Sequence, residues 1–159
     1  MNTTIKLIIF SFSLFLFGHQ LEAQDISGEW NGVISQDEGG LSDQYYFSFV
    51  FKQKGTKVTG FSKVELFQGK KRVLYARKKL EGTFDGKTLI FKELEIVEQE
   101  ANTATNTNIC LINGKLKFAW DKSTLCLMGT WGGTTTAGQV CSPGTIKVCT
   151  NIPVALNKN

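Results

Sequence analysis

The stretch QYYFSFVFKQK, residues 44–54, alternates with the two-residue period of a β-strand. One of its faces carries four aromatic residues: Tyr45, Phe47, Phe49 and Phe51. The other face carries Tyr46, Ser48, Val50 and Lys52, a mixed set as expected where an antiparallel strand covers a core on one side and meets water on the other. The stretch therefore predicts a strand whose aromatic face builds the core.

Similar runs lie on both sides of this stretch, broken by turn residues, and helical periodicity is almost absent. Asp85-Gly86 and Asn113-Gly114 are favoured pairs for tight hairpin turns, so both are predicted to reverse the chain. The predicted strands cover residues 26–35, 44–54, 57–66, 72–84, 87–97, 108–112, 115–120, 124–131 and 144–150. This pattern predicts an all-β fold, an antiparallel up-and-down β-barrel of eight or nine strands, with a β-sandwich as the alternative.

The first 23 residues have the layout of a secretory signal peptide. Lys6 precedes the apolar run of residues 7–17, and Leu21-Glu22-Ala23 precedes Gln24. We expect cleavage between Ala23 and Gln24, a single barrel domain over residues 24–151 and a tail over residues 152–159. The mature chain should be extracytoplasmic, either periplasmic or secreted, and should contain no transmembrane segment.

The composition of the mature chain excludes many kinds of active site. Removing Lys6 and Glu22 leaves 17 basic and 13 acidic residues, and the one histidine, His19, leaves with the signal peptide. Without histidine there is no Ser-His-Asp triad and no histidine-ligated zinc site. No phosphate-binding glycine motif occurs either. We expect a non-enzymatic protein without cofactor or metal, although a hydrolase using carboxylates alone stays open.

Four cysteines follow the signal peptide, which predicts two disulfides formed in an oxidising compartment. Strand alternation places Cys126 and Cys149 on the outer face of neighbouring strands, nearly opposite each other. This leaves Cys110 to pair with Cys141 and to tie the loop of residues 132–143 to an earlier strand.

Two charged residues fall on apolar strand faces. Lys78 shares a face with Leu80, and Glu93 shares a face with Phe91. With Asp85-Gly86 as the turn, Lys78 falls opposite Glu93, which predicts a paired charge inside the barrel. The alternative is a β-bulge near residues 92–94 that puts both side chains in solvent.

Six of the 17 mature basic residues are clustered in residues 70–72 and 77–79. Nucleic acid is not the expected partner, because the compartment is extracytoplasmic and no RNA-binding aromatic motif accompanies the cluster. We expect a solvated hairpin, with an anionic envelope surface or glycan as the second interpretation.

Gly28-Glu29-Trp30 at the start of the first strand resembles the opening of lipocalins and of the related avidin and fatty-acid-binding barrels. The resemblance implies that Trp30 closes one end of a barrel whose interior binds a small apolar ligand. The Ala23-Gln24 junction and the segment Cys141-Ser142-Pro143-Gly144 are also similar to those of secreted proteins from Bacteroidetes-type bacteria.

These observations favour a secreted binding protein whose barrel holds a small apolar or amphipathic ligand. The alternative is a rigid module with a filled core that presents its loops to a partner, as an inhibitor or envelope component. Strict alternation allows either Tyr75 or Lys78 to face inward, but not both. The predicted cavity or mouth residues are Trp30, Phe47, Phe49, Tyr75, Lys78, Phe91, Glu93, Trp120 and Trp131.

Overall fold

The computed structural model describes residues 24–101 and 109–150. Eight antiparallel strands follow one another in chain order within these residues: β1 (Gly28–Ser35), β2 (Gln44–Lys54), β3 (Lys57–Gln68), β4 (Lys71–Phe84), β5 (Thr88–Ala101), β6 (Cys110–Asp121), β7 (Thr124–Thr135) and β8 (Gly144–Thr150). The last strand pairs with residues 30–34 of the first, so the sheet closes on itself. The predicted up-and-down barrel is confirmed, and the sandwich alternative is wrong.

Three predictions lie outside the described residues: the signal peptide of residues 1–23, its cleavage site, and the tail of residues 152–159. Among the described residues, no helix is long and apolar enough to cross a membrane.

An aromatic cluster on β2 and β5 fills the middle of the barrel. The ring centre of Phe49 lies 4.7 Å from that of Phe51, 4.8 Å from that of Phe47 and 5.1 Å from that of Phe91. All four side chains are buried. Stacked and edge-to-face aromatic pairs add to the stabilisation from area burial alone, so this cluster forms the core of the domain.

The end of the barrel where β1 begins is filled by side chains. The indole Nε1 of Trp30 donates a hydrogen bond to the carbonyl oxygen of Ile26 at 2.9 Å. The Trp30 ring meets Phe118 edge-on, and Phe118 contacts Phe84 in the same way. We call this the closed end, defined by Ile26, Trp30, Phe84 and Phe118.

The predicted hairpin at Asn113-Gly114 is wrong. Strand β6 runs without a break through both residues, and they pair with Gly132 and Trp131 of β7. Gly114 serves packing instead of a turn, because a Cβ atom there would lie 2.8 Å from the Phe91 ring. Glycine is therefore needed at position 114 because a larger residue would clash with the core, and not because the chain turns there.

Several strands are longer than predicted: β5 extends to Ala101, four residues beyond the expected end. Likewise β7 extends to Thr135. Residues 98–101, which lie beyond the predicted end of β5, therefore belong to that strand, and residues 102–107 lie outside the described part of the chain.

Both predicted disulfides are present. Cys126 and Cys149 are directly opposed on β7 and β8, with their Cα atoms 4.0 Å apart. Cys110, the first residue of β6, is bonded to Cys141 in the loop between β7 and β8. The first disulfide joins strands that are already paired, whereas the second fixes a loop beside the opposite end of the barrel from Trp30.

Candidate functional site

The barrel wall opens between β5 and β6. Their backbone ladder begins at Thr88 and ends where Lys92 pairs with Asn113. Beyond this point, β5 stays paired with β4 as far as Ala101, and residues 110–112 of β6 stay paired with β7, but the two segments do not pair with each other. We call this gap the seam.

Side chains bridge the seam where the backbone does not. Glu93 Oε2 accepts a hydrogen bond from the backbone N–H of Ile112 at 2.8 Å and lies 2.7 Å from Lys78 Nζ. Glu93 Oε1 accepts a hydrogen bond from the hydroxyl of Ser62. Lys78 Nζ also donates to the carbonyl oxygen of Cys110 at 3.0 Å. The ion pair thus supplies partners to two backbone groups of β6 that lack a strand neighbour on this side.

The ion pair is fully inside the protein. The side chain of Lys78 is 3% exposed and that of Glu93 is 0% exposed. Two isolated charges at such depth would be strongly destabilising, and they are tolerated because each is paired and hydrogen-bonded. The predicted inward pair of Lys78 and Glu93 is therefore present.

The predicted strand register between these two residues is wrong. Lys78 lies opposite Ile96, and Glu93 lies opposite Leu80. Asp85 is the first residue of the turn rather than its centre, because its carboxylate accepts hydrogen bonds from the backbone N–H groups of Lys87 and Thr88. These donors also hold the pKa of Asp85 below its ordinary value.

A bulge on β5 directly follows Glu93, and Glu93 contacts Lys78 diagonally across the two strands. Lys79 pairs with Glu95 and Leu80 with Glu93, so Leu94 has no partner on β4. The bulge and the inward pair were expected as alternatives, yet both occur, because the bulge follows Glu93 and leaves its inward direction unchanged.

A cavity of about 370 Å³ occupies the end of the barrel next to the seam. Its wall is mostly apolar, and Lys78 is the one charged side chain among the described residues that line it. Residues 39–41 of the loop between β1 and β2 border its mouth. We call this the open end, defined by Ile34, Tyr45, Leu74, Ile112 and Trp131.

Two of the predicted site residues, Lys78 and Trp131, line this cavity. Trp131 is held by a hydrogen bond from its Nε1 to the carbonyl oxygen of Ser35 at 2.8 Å. Glu93 lies behind Lys78 and orients it. The other inward aromatic residues are packed core and do not line the cavity: Trp30, Phe47, Phe49 and Phe91.

Two predicted site residues, Tyr75 and Trp120, do not line the cavity. The Tyr75 hydroxyl donates to Glu98 at 2.9 Å, and Arg72 lies over the Tyr75 ring. Partial burial and the bond to Glu98 raise the pKa of Tyr75. Strict alternation explains this position, because Lys78 faces inward on the same strand. Trp120 is 52% exposed near the end of β6 and is also outside the cavity.

Sequence reasoning missed most of the residues that line the cavity. Tyr45 shares its strand face with Phe47, and Leu74 shares one with Lys78, so continued alternation would have found both. Ile109 and Ile112 were hidden by the incorrect hairpin at Asn113-Gly114. Tyr45 is fixed at the mouth because its hydroxyl accepts a hydrogen bond from the backbone N–H of Ser42 at 3.2 Å.

The basic cluster is largely neutralised on the outer face. Arg72 contacts both Glu65 and Glu100, Arg77 contacts Glu98, and Lys79 contacts Glu95. These exposed pairs contribute little to stability individually. They do mean that four of the six clustered basic residues, Lys78 included, have an acidic partner within the chain.

A second depression, of about 990 Å³, lies on the outer wall and is more open to solvent than the cavity. It is bordered by Lys57 and Lys115, and Ile90 beside them is 54% exposed. Its chemistry is that of a surface contact site rather than an enclosed ligand site.

Comparison with known proteins finds no match to a protein-family model, a curated protein or a solved structure. Within residues 24–101 and 109–150, no three histidine, cysteine or acidic residues are grouped as metal ligands.

Proposed function

We propose that this chain is an extracytoplasmic, non-enzymatic binding protein that holds a small apolar or amphipathic ligand in the open end of its barrel. The single observation that carries the proposal is the cavity of about 370 Å³ with an apolar wall and one charged side chain. Small-molecule sites have this composition, a mostly apolar surface with a few placed polar groups, and volumes of roughly 300–1,000 Å³.

The two disulfides support the proposed location outside the cytoplasm. They also suit the proposed role, because Cys110 borders the cavity and its bond to Cys141 holds the rim of the open end. A rigid rim reduces the ordering cost that a ligand meets when it binds.

The second candidate is a rigid module that binds a partner through its surface. The aromatic cluster and the closed end favour it, because most of the barrel interior is filled. The outer depression around Ile90 would then be the contact site.

Tryptophan fluorescence titrated with medium-chain alcohols, ketones, esters and acids separates the two candidates. We expect a saturable change that is lost in Trp131→Phe. Because Trp131 borders both the cavity and the outer depression, two further variants decide between them. Val64→Phe, which places a larger side chain in the cavity wall, should abolish binding, whereas the matched outer-wall change Ile90→Phe should not. No saturable change with any of these compounds would refute the cavity site.

A further inference from the structure

Lys78 carries an unusual combination of burial and incomplete hydrogen bonding. Its ammonium group has three N–H donors. Within the described residues, one is directed to Glu93 and one to the carbonyl oxygen of Cys110. The third has no acceptor there, and Lys78 forms part of the cavity wall. The cavity therefore contains one strong donor that its own wall does not satisfy.

The charge at this point is already balanced. Glu93 lies 2.7 Å from the ammonium group, and both its oxygens already have partners: Ser62, Lys78 and the backbone N–H of Ile112. An anionic ligand bound to Lys78 would lie within a few ångströms of the Glu93 carboxylate. Its attraction to the ammonium group would be largely cancelled by that repulsion, while the cost of removing its own charge from water would remain.

A cationic ligand has no partner in the cavity either. The nearest buried carboxylate is Glu93, which does not border the cavity and whose two oxygens already accept hydrogen bonds from the protein. A purely hydrocarbon ligand would exclude water from the third N–H of Lys78 but offers no hydrogen-bond acceptor of its own. The buried donor would then be left unsatisfied.

We infer that the cavity selects small amphipathic ligands with a neutral hydrogen-bond acceptor, a ketone, ester or hydroxyl oxygen, which accepts the third N–H of Lys78. This inference rests on the proposed function and specifies the ligand class. The apolar chain of the ligand would lie against the wall formed by Ile34, Val64, Leu74 and Ile112.

The experiment compares three probes with the same ten-carbon chain length and different head groups: 2-decanone, decanoate and decylammonium. Titration calorimetry at neutral pH should give the tightest binding for 2-decanone, by about tenfold, since a hydrogen bond to a charged group is worth roughly that factor. The carbonyl carbon of bound, labelled 2-decanone should also lie downfield of the same carbon in an alkane solvent, which offers no hydrogen-bond donor. This comparison uses the unmodified protein and needs no variant to fold.

The variant Lys78→Met combined with Glu93→Gln removes the ammonium donor and both charges. The glutamine oxygen can still accept from the Ile112 N–H, and its amide nitrogen can donate to the Ser62 hydroxyl oxygen. We expect it to bind 2-decanone about tenfold more weakly and to lose the downfield shift. The matched control, Lys79→Met with Glu95→Gln, removes an exposed pair on the same two strands and should change neither value.

The outcomes separate the two levels of the argument. If none of the three probes binds, the proposed function fails and this inference fails with it. If the probes bind but decanoate or decylammonium is preferred, or if the carbonyl shift is absent, the selection for a neutral acceptor is wrong and the proposed function stands.

Discussion

The closed end and the open end of the barrel are built from the same eight strands but are stabilised differently. At the closed end, Trp30 and Phe84 fill the interior, and the backbone ladders are continuous. At the open end, the ladder between β5 and β6 is missing, a cavity replaces the packed side chains, and the buried pair of Lys78 and Glu93 bridges the gap.

The difference shows how a small barrel can keep an internal space without losing closure. A longer ladder between β5 and β6 would draw their ends together and reduce the cavity, whereas an unbridged gap would leave buried backbone groups without partners. The side chain of Glu93 reaches the backbone of Ile112, so it closes the wall at a larger distance between strands than direct pairing allows.

The largest expected effect tests the seam. Glu93→Ala should destabilise the protein by about 3–5 kcal/mol, because it leaves the Lys78 ammonium buried without its counter-charge. Chemical denaturation gives the unfolding free energy. Glu95→Ala, which removes an exposed partner of Lys79, is the matched control and should cost less than about 1 kcal/mol. Equal losses for the two variants would contradict the role given to the seam.

Two leucines on β4 compare the packing of the two ends directly. Leu80 faces the filled interior, whereas Leu74 borders the cavity. Leu80→Ala should cost about 4 kcal/mol and Leu74→Ala about 2 kcal/mol, because a side chain next to an existing void makes fewer contacts that can be lost. Denaturation curves of the two variants check this, and a larger loss for Leu74→Ala would mean that the open end is packed.

The two disulfides should contribute similarly to the stability of the protein but differently to ligand binding. Each closes a loop of comparable length, with separations of 23 and 31 residues, so replacing either pair by alanine should cost about 2–4 kcal/mol. Loss of the Cys110–Cys141 bond should also weaken ligand binding, because Cys110 borders the cavity. Loss of the Cys126–Cys149 bond should leave the ligand affinity unchanged. An equal loss of affinity in both variants would mean that the ligand does not bind at the open end.

The sequence was sufficient for the parts of the fold that depend on local alternation. Alternation on β2 predicted the inward Phe47, Phe49 and Phe51, and alternation at Cys126 and Cys149 predicted their disulfide. The register between β4 and β5 could not be predicted in the same way, because it depends on the position of Asp85 in the turn and on a bulge at Leu94.

The open end was harder to predict than the closed end for a related reason. Gly114 has the local signature of a turn, but its role depends on Phe91, which is distant in sequence. With β6 divided into two short strands, Ile112 and the seam could not be located. The charged pair was still identified, because a charge on an apolar strand face is visible in the sequence itself.

The smallest expected effect concerns the turn at Asp85, which sets the register between β4 and β5 and so the position of Glu93. Backbone N–H groups of Lys87 and Thr88 stabilise the Asp85 carboxylate and lower its pKa from the ordinary value of 3.8. A group with a lowered pKa in the folded state stabilises the protein above its ordinary pKa, and this contribution is lost as the pH falls through the lowered value. Asp85→Ala should therefore differ most from the unmodified protein near neutral pH, and the difference should shrink in acid. Unfolding free energies measured from about pH 7 to about pH 2 give this dependence.

Asp85→Asn keeps an acceptor for the two N–H groups without a titrating charge and serves as the control. A carboxyl carbon of Asp85 that titrates by NMR at or above the ordinary value would contradict the turn geometry, and with it the explanation for the position of Glu93.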